Sequence, residues 1–487
     1  MVRTASSNVV IADLLISHDS HDFARTGSDA SLCFAYRATL LTHLLMAKLV
    51  AHFRCFCGCA ETFPLTRAIY RCPTCNGLLE VAHDLDALAK TSAEEWRARF
   101  DARWAPRATD MALPSGVWSK REWVAPEVSS DAIVSTGEGM TPLYPARRLA
   151  EELSFGELYI KQCGSTHTGS FKDLGMTVLV SVVNHAIRTG DLRIRAIACA
   201  STGDTSAALA AYGAAAGLPV IVLLPRGMVS VAQLVQPLAN GARVFALDTD
   251  FDGCMQVVKE LASRGLIYLA NSMNPLRVEG QKTVAVEITQ QLGWEVPDWV
   301  VLPSGNLGNA AALHAGFSMA KSLGVIDKLP RLCIAQAANA SPMYHAFVAK
   351  TDEVTPVVAK PTQASAIRIG APVSAPRAMA ALKAMNGVVE QASEDELANA
   401  SAHADRTGLY TCPHTGVALA CAMKLRARGV IGARERVVVV STASALKFTE
   451  FKLGYHEHKL PEVTSTLANE PVTLPADVET VARQLSL

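Results

Sequence analysis

The chain has 487 residues, 45 Lys or Arg are balanced by 45 Asp or Glu, and hydrophobic side chains make up 50 % of the total. Zero net charge excludes a generic binder of nucleic acid or other polyanions, and the apolar fraction excludes a disordered chain. The length allows two or three structural units, and no apolar stretch reaches the roughly 18 residues that span a bilayer.

In chain order, residues 1–46 form an N-terminal extension with no strong periodic pattern. Arg3, Arg25 and Arg37 stand there against Asp13, Asp19, Asp22 and Asp29. A transit peptide is basic and poor in acids, so the expected location is the cytoplasm, and Met46 is an alternative start. Residues 47–125 form an arm that contains RCFCGCAETFPLTRAIYRCPTCNGLLEV. Two short cysteine clusters a dozen or more residues apart resemble a zinc ribbon, in which each knuckle gives two thiolates to a tetrahedral ion. The second knuckle, Cys72 and Cys75, has the right spacing and provides the candidate metal ligands. The first, with Cys55, Cys57 and Cys59, reads CxCxC and offers no CxxC pair. The expectation is therefore a degenerate knuckle with free thiols, with zinc as the less favoured alternative. The seven remaining cysteines are scattered through apolar or catalytic-looking segments, as reduced thiols are. Prolines 106, 114, 126, 142 and 145 predict an extended arm leading into the core.

Residues 126–460 read as the core and 461–487 as a tail. Within the core, short apolar runs at 193–201, 219–225, 242–248, 266–271, 299–304, 331–337 and 437–442 are separated by segments long enough to cross back. That pattern predicts an α/β fold with parallel strands buried on both faces. In YIKQCGSTHTGSFKDLGMTVLV, 159–180, a strand leads through a small-residue turn to Lys172 at a helix start, where the positive end of the macrodipole disfavours an ammonium. Alone, such a lysine reads as solvated surface. Two loops change that reading. PSGNLGNAA, 303–311, follows a strand and opens a helix with backbone N–H groups that can converge on a phosphate; it lacks the Lys-Ser or Lys-Thr of a P-loop. ASTGDTSAA, 200–208, presents Ser201, Thr202, Gly203 and Thr205 to a carboxylate, although a capped helix start uses the same residue types. Two anion loops and a lysine poised as a neutral amine suggest pyridoxal phosphate and an amino-acid substrate.

The blocks TGSFKDLGMT, ASTGDTSAALAAYGAAAG, AQLVQPLANGA, DTDFDGC, NSMNPLRVEGQKT, PSGNLGN, QASAIRIGAPVS, CPHTGVAL and STASALKF, in this order, resemble the threonine synthase family, most closely its plant-type branch. The resemblance runs continuously over about 115–455 and weakly from 50. It implies a fold-type II pyridoxal phosphate enzyme with two three-layer α/β domains, mostly parallel sheets and the cysteine arm, assembled as a homodimer, with a smaller mobile domain near 183–285. It makes Lys172 the Schiff-base lysine and Phe171 its neighbour. Gly305, Asn306, Leu307, Gly308 and Asn309 become the loop around the cofactor phosphate. Asp204 lies near the ring hydroxyl and Thr442 at the pyridine nitrogen. Asn271, Ser272 and Arg277 receive the substrate phosphate, and Ser201, Thr202 and Thr205 the substrate carboxylate. The implied reaction converts O-phospho-L-homoserine and water to L-threonine and phosphate, with neither nucleic acid nor membrane as partner. Related β-replacement or β-elimination enzymes, cysteate synthase-like or threonine dehydratase-like, are the alternative. Ala443, Ser444 and Ala445 replace the family's usual THG or TAHG, and Ala445 cannot adopt a positive φ as cheaply as Gly.

Overall fold

The structure, a computed structural model, describes residues 50–104, 115–201, 203–227 and 231–485. The extension 1–46, the alternative start at Met46 and Thr202 lie outside them. The strands are β1 (Ala51–Cys55), β2 (Thr62–Pro64), β3 (Leu79–His83), β4 (Leu143–Pro145), β5 (Glu157–Gln162), β6 (Ala196–Ala200), β7 (Val220–Pro225), β8 (Arg243–Leu247), β9 (Ile267–Leu269), β10 (Trp299–Pro303), β11 (Arg331–Ala337), β12 (Val388–Ala392) and β13 (Arg436–Ser441). They build three sheets, ordered β12-β11-β10-β13-β5-β4, β8-β7-β6-β9 and β2-β1-β3. The first is parallel except for β4, which runs antiparallel to β5. The second is wholly parallel, and the third, in the cysteine arm, is antiparallel.

Side chains alternate across a strand, and on β10 both sets are buried. Trp299 and Val301 enter a core with Val417, Leu397 and Val437. Val300 and Leu302 enter another with Leu174, Leu313 and Phe317. Helices therefore cover both faces, as parallel sheets require. The second sheet divides likewise, with Ile197 and Cys199 of β6 facing Leu209 and Tyr212, and Ala196 and Ala198 facing Cys254 and Val258.

All seven predicted runs contain strands. Two features differ from expectation. β8 is an edge strand, paired with β7 along one edge, and its side chains are mostly exposed. The segment after 114, expected as an extended arm, contains short helical turns at Trp118–Lys120 and Arg121–Val124, and Val117, Trp123, Val124 and Ala125 are buried in the same core as Phe53, Trp96 and Phe100 of the cysteine arm. Trp96, Phe100 and Trp123 pack edge-on or tilted, with ring centroids 5.0–5.6 Å apart. No helix among the described residues is long and apolar enough to cross a membrane.

Candidate active site

Ligands of α/β proteins sit beyond the carboxyl ends of the strands, and here the predicted site residues of the core follow β5, β6, β9, β10 and β13. Lys172 opens the helix Lys172–Thr189, with Phe171 as its cap residue and the ammonium position 3.9 Å from the Phe171 ring centroid. Burial first, then the nearby Arg277 guanidinium and Lys447, lower the Lys172 pKa to about 7, while Asp204 opposes the shift. The following Asp173 is fixed by the backbone N–H of Thr168, 2.8 Å away, and by the Thr168 hydroxyl. The helix start is thereby tied to the small-residue turn.

Arg277 lies on the helix Leu276–Gln281 and is buried, with 5 % exposure. It donates to the Ala270 carbonyl at 3.3 Å and to the Thr205 hydroxyl at 3.2 Å. Its Nε has no hydrogen-bond partner, and burial lowers its pKa to about 10. No carboxylate among the described residues pairs with it. A buried guanidinium without an anion is costly, so the site suits an anionic ligand.

This cation can stand beside Lys172 because the two helices touch through glycines. A Cβ on Gly175 would lie 2.8 Å from the Arg277 carbonyl oxygen, and one on Gly280 only 1.6 Å from that of Leu174.

After β10, Leu307 adopts a left-handed φ of 63° and introduces the helix Gly308–Ser322. The Asn306 carboxamide donates to Ser272 Oγ at 3.3 Å and accepts from the Val373 N–H at 3.2 Å. The Ser374 N–H donates to the Asn306 carbonyl at 3.1 Å. Asn309 spends its side chain within the loop, donating to the Pro303 carbonyl and bonding the Ser304 hydroxyl. Ile367 packs so closely that a Cβ on Gly305 would sit 2.7 Å from its Cα.

The loop's fit to a phosphate can be tested at Ser374. Its buried hydroxyl has no partner and lies 3.7 Å from the Cβ that a side chain at Gly308 would carry. That hydroxyl and the first amides of the helix Gly308–Ser322 thus share one small cradle, which suits phosphate oxygens. With Lys172 as amine donor, the residues present fit pyridoxal phosphate. Sequence reasoning missed Ser374, whose only signal is its place in QASAIRIGAPVS.

Asn271 and Ser272 follow β9. Asn271 commits its amide to β6, accepting from the Ala200 N–H at 3.1 Å and donating to the Ala200 carbonyl at 3.0 Å. Its closest service is therefore to join the ends of β6 and β9. Ser201 accepts from the Gly203 N–H at 3.4 Å. The Thr442 carbonyl accepts from the Phe171 N–H at 2.9 Å, bringing the end of β13 against the lysine. Beyond it, Ala443 bridges to Ser170, and Ser444 Oγ caps a short turn by accepting from the Leu446 N–H at 3.3 Å. Ala445 is not among the residues with positive φ, so this turn makes no demand for glycine.

Lys447, given no role by sequence reasoning, binds Asp204 at 2.8 Å, the Thr168 carbonyl at 3.0 Å and Gln236 Oε1 at 3.1 Å. It connects the segment after β13 with the helix after β6. In the cysteine arm, where a degenerate first knuckle with free thiols is expected, the five thiols are free, and the sulfurs of Cys55, Cys59, Cys72 and Cys75 all lie within 4.8 Å of one another. The pair in the first knuckle is CxxxC, with Cys57 between its members.

The chain belongs to the pyridoxal-phosphate dependent enzymes, the family whose model matches residues 134–443. It is 53 % identical over 418 residues to threonine synthase 2, chloroplastic, of Arabidopsis thaliana, covering 85 % of this chain and 80 % of that one. With the threonine synthase of Methanocaldococcus jannaschii it shares 38 % identity over 429 residues, 88 % of this chain and 98 % of that one. Threonine synthase from Escherichia coli shares the fold, with a TM-score of 0.61 over 89 % of this chain and 99 % of that chain, at 21 % identity.

Proposed function

We propose that this chain is a threonine synthase, converting O-phospho-L-homoserine and water to L-threonine and phosphate. The observation that carries the reading is Arg277, a buried guanidinium close to Lys172 that has an orphaned Nε and no carboxylate partner among the described residues. A substrate phosphate supplies the missing anion, and Arg offers it a planar fork.

Lys172 would hold the cofactor; Gly305, Asn306, Leu307, Gly308, Asn309 and Ser374 would receive its phosphate. Asp204 and Thr442 would face its ring, and Ser201, Thr202 and Thr205 the substrate carboxylate. Bound there, pyridoxal phosphate supplies an electron sink for charge developing next to the amino-bearing carbon. Lys172 Nζ, neutral above about pH 7, takes the Cα proton and helps remove one from Cβ. Arg277 holds the phosphate as it leaves Cγ. After a proton is returned to Cγ, water adds at Cβ.

Water must stay out until phosphate has gone. This requirement supports closure of the smaller unit near 183–285, whose link to the remainder includes the Lys447–Asp204 pair. Assembly as a homodimer rests on the family resemblance, and a cytoplasmic location on the acidic residues of the first 45. Sizing of the purified chain and imaging of a tagged one test these two points.

The function is tested by phosphate release from O-phosphohomoserine with chromatographic identification of the amino-acid product. Threonine in step with phosphate is expected. Mainly 2-oxobutyrate, shifted to threonine in the Ser444→His, Ala445→Gly variant, would instead favour a dehydratase-like enzyme, the reading that the altered segment 443–445 keeps in view.

A further inference from the structure

We infer that the cysteine arm holds a structural zinc ion on four thiolates, those of Cys55, Cys59, Cys72 and Cys75. A tetrahedral ion with Zn–S bonds of about 2.3 Å sets its sulfurs about 3.8 Å apart. The four sulfurs all fall within 4.8 Å of one another, and those of Cys55 and Cys75 are 3.4 Å apart. The ligands come in two pairs from two tight turns, one following β1 and one leading to β3.

Both turns are built to point amides at sulfur. In the first, the Cys57 N–H donates to Cys55 Sγ at 3.3 Å, and Gly58, with φ of 88°, lets the chain reverse toward Cys59. In the second, the Gly77 N–H donates to Cys75 Sγ at 3.4 Å after Asn76, with φ of 56°. Such bonds stabilise the negative charge of a thiolate. A side chain at Gly77 would intrude, its Cβ lying 2.8 Å from Cys57 Sγ and 3.0 Å from Cys75 Sγ. Cys57 faces this turn but is not one of the four. An all-sulfur tetrahedral set selects zinc over the harder divalent cations that oxygen ligands favour. Binding requires the thiols to release their protons to solvent, with no change of oxidation state.

The ion would clamp together the two loops of a small antiparallel sheet whose β3 reaches, through His83, the helix that bears Arg277.

The test is metal analysis of the natural full-length protein, purified without chelator, together with X-ray absorption at the zinc edge. About one zinc per chain with four sulfur neighbours at about 2.3 Å is expected. Cys59→Ser and Cys75→Ser should lose the metal, and Cys57→Ser should retain it. Should the first two variants fail to fold, the absorption spectrum of the natural protein and the Cys57→Ser variant decide. The inference is overturned if the natural protein lacks zinc and takes up none when reduced and offered it, or if its zinc has nitrogen or oxygen neighbours. Loss of zinc in Cys57→Ser, or a Cys55–Cys75 disulfide found by peptide mapping, overturns it as well.

Discussion

Arg277 helps to set the chemistry of Lys172. Only a neutral amine attacks a carbonyl, and an ordinary lysine becomes neutral near pH 10.4. With its pKa lowered to about 7 by burial and by Arg277, Lys172 in the apoprotein should take up pyridoxal phosphate faster as pH rises through about 7, then level off. Stopped-flow absorbance checks the profile, and Arg277→Met should move its midpoint upward because a neighbouring positive charge has gone. The same shift makes this group's contribution to apoprotein stability rise with pH between its folded pKa of about 7 and its unfolded value, since only the unfolded chain holds the proton there. Arg277→Ala should cost about 2–5 kcal/mol in kcat/KM for the phosphorylated substrate. The bound cofactor, measured by its absorbance, should be retained. Loss of cofactor would show that Arg277 serves the other phosphate.

At the scale of elements, the two helices that present these cations meet where neither can carry a side chain. Gly280→Ala would drive a methyl group into the Leu174 carbonyl, a backbone atom that cannot rotate away. Overpacking of this kind costs about 1–3 kcal/mol or more. The expected outcome is a lower melting temperature together with a fall in kcat/KM, as Arg277 moves relative to Lys172.

The next contact outward is electrostatic. Glu279, on the same helix as Arg277, is buried and bonds His83 of β3 at 2.8 Å and also Lys282. Lys282 and His83 hold its pKa low against the effect of burial. Glu279→Ala leaves Lys282 buried without its carboxylate partner and should destabilise by about 3–5 kcal/mol in denaturant titration. Removing the exposed Glu260 from its pair with Arg264 should change the midpoint little.

Across the whole molecule, legibility from sequence followed the range of the interaction. Strands buried on both faces, such as Val300 to Leu302 in β10, announce themselves as continuous apolar runs. β12 did not, because VVEQA mixes in Glu390 and Gln391, whose partners lie elsewhere in the fold. The strand–loop–helix signals at 303–311 and 200–208 marked helix starts after β10 and β6, the second of which sets Asp204 near Lys172. The partners of those loops were less visible. Lys447 meets Asp204 across 243 residues of chain, and Ser374 meets the Gly308 turn from a stretch with no periodic pattern. The first cysteine knuckle is hard to read locally because its close pair, Cys55 and Cys59, has CxxxC rather than ribbon spacing, with a left-handed Gly58 between them. Asn271 carries a residue type suited to phosphate, yet its amide is committed to Ala200, a use that local sequence does not reveal.

The orphaned Nε of Arg277 also bears on handling and regulation. If the reaction's own inorganic product can settle there, then by mass action the folded state is favoured whenever phosphate is abundant, by about 2.7 kcal/mol at a hundredfold excess over its dissociation constant. Melting temperature should accordingly climb with phosphate in the buffer and stay flat with chloride at equal ionic strength, and Arg277→Ala should abolish the climb. The same occupancy would slow turnover as product accumulates, so the cation that selects the substrate would also meter its output against the phosphate of its surroundings.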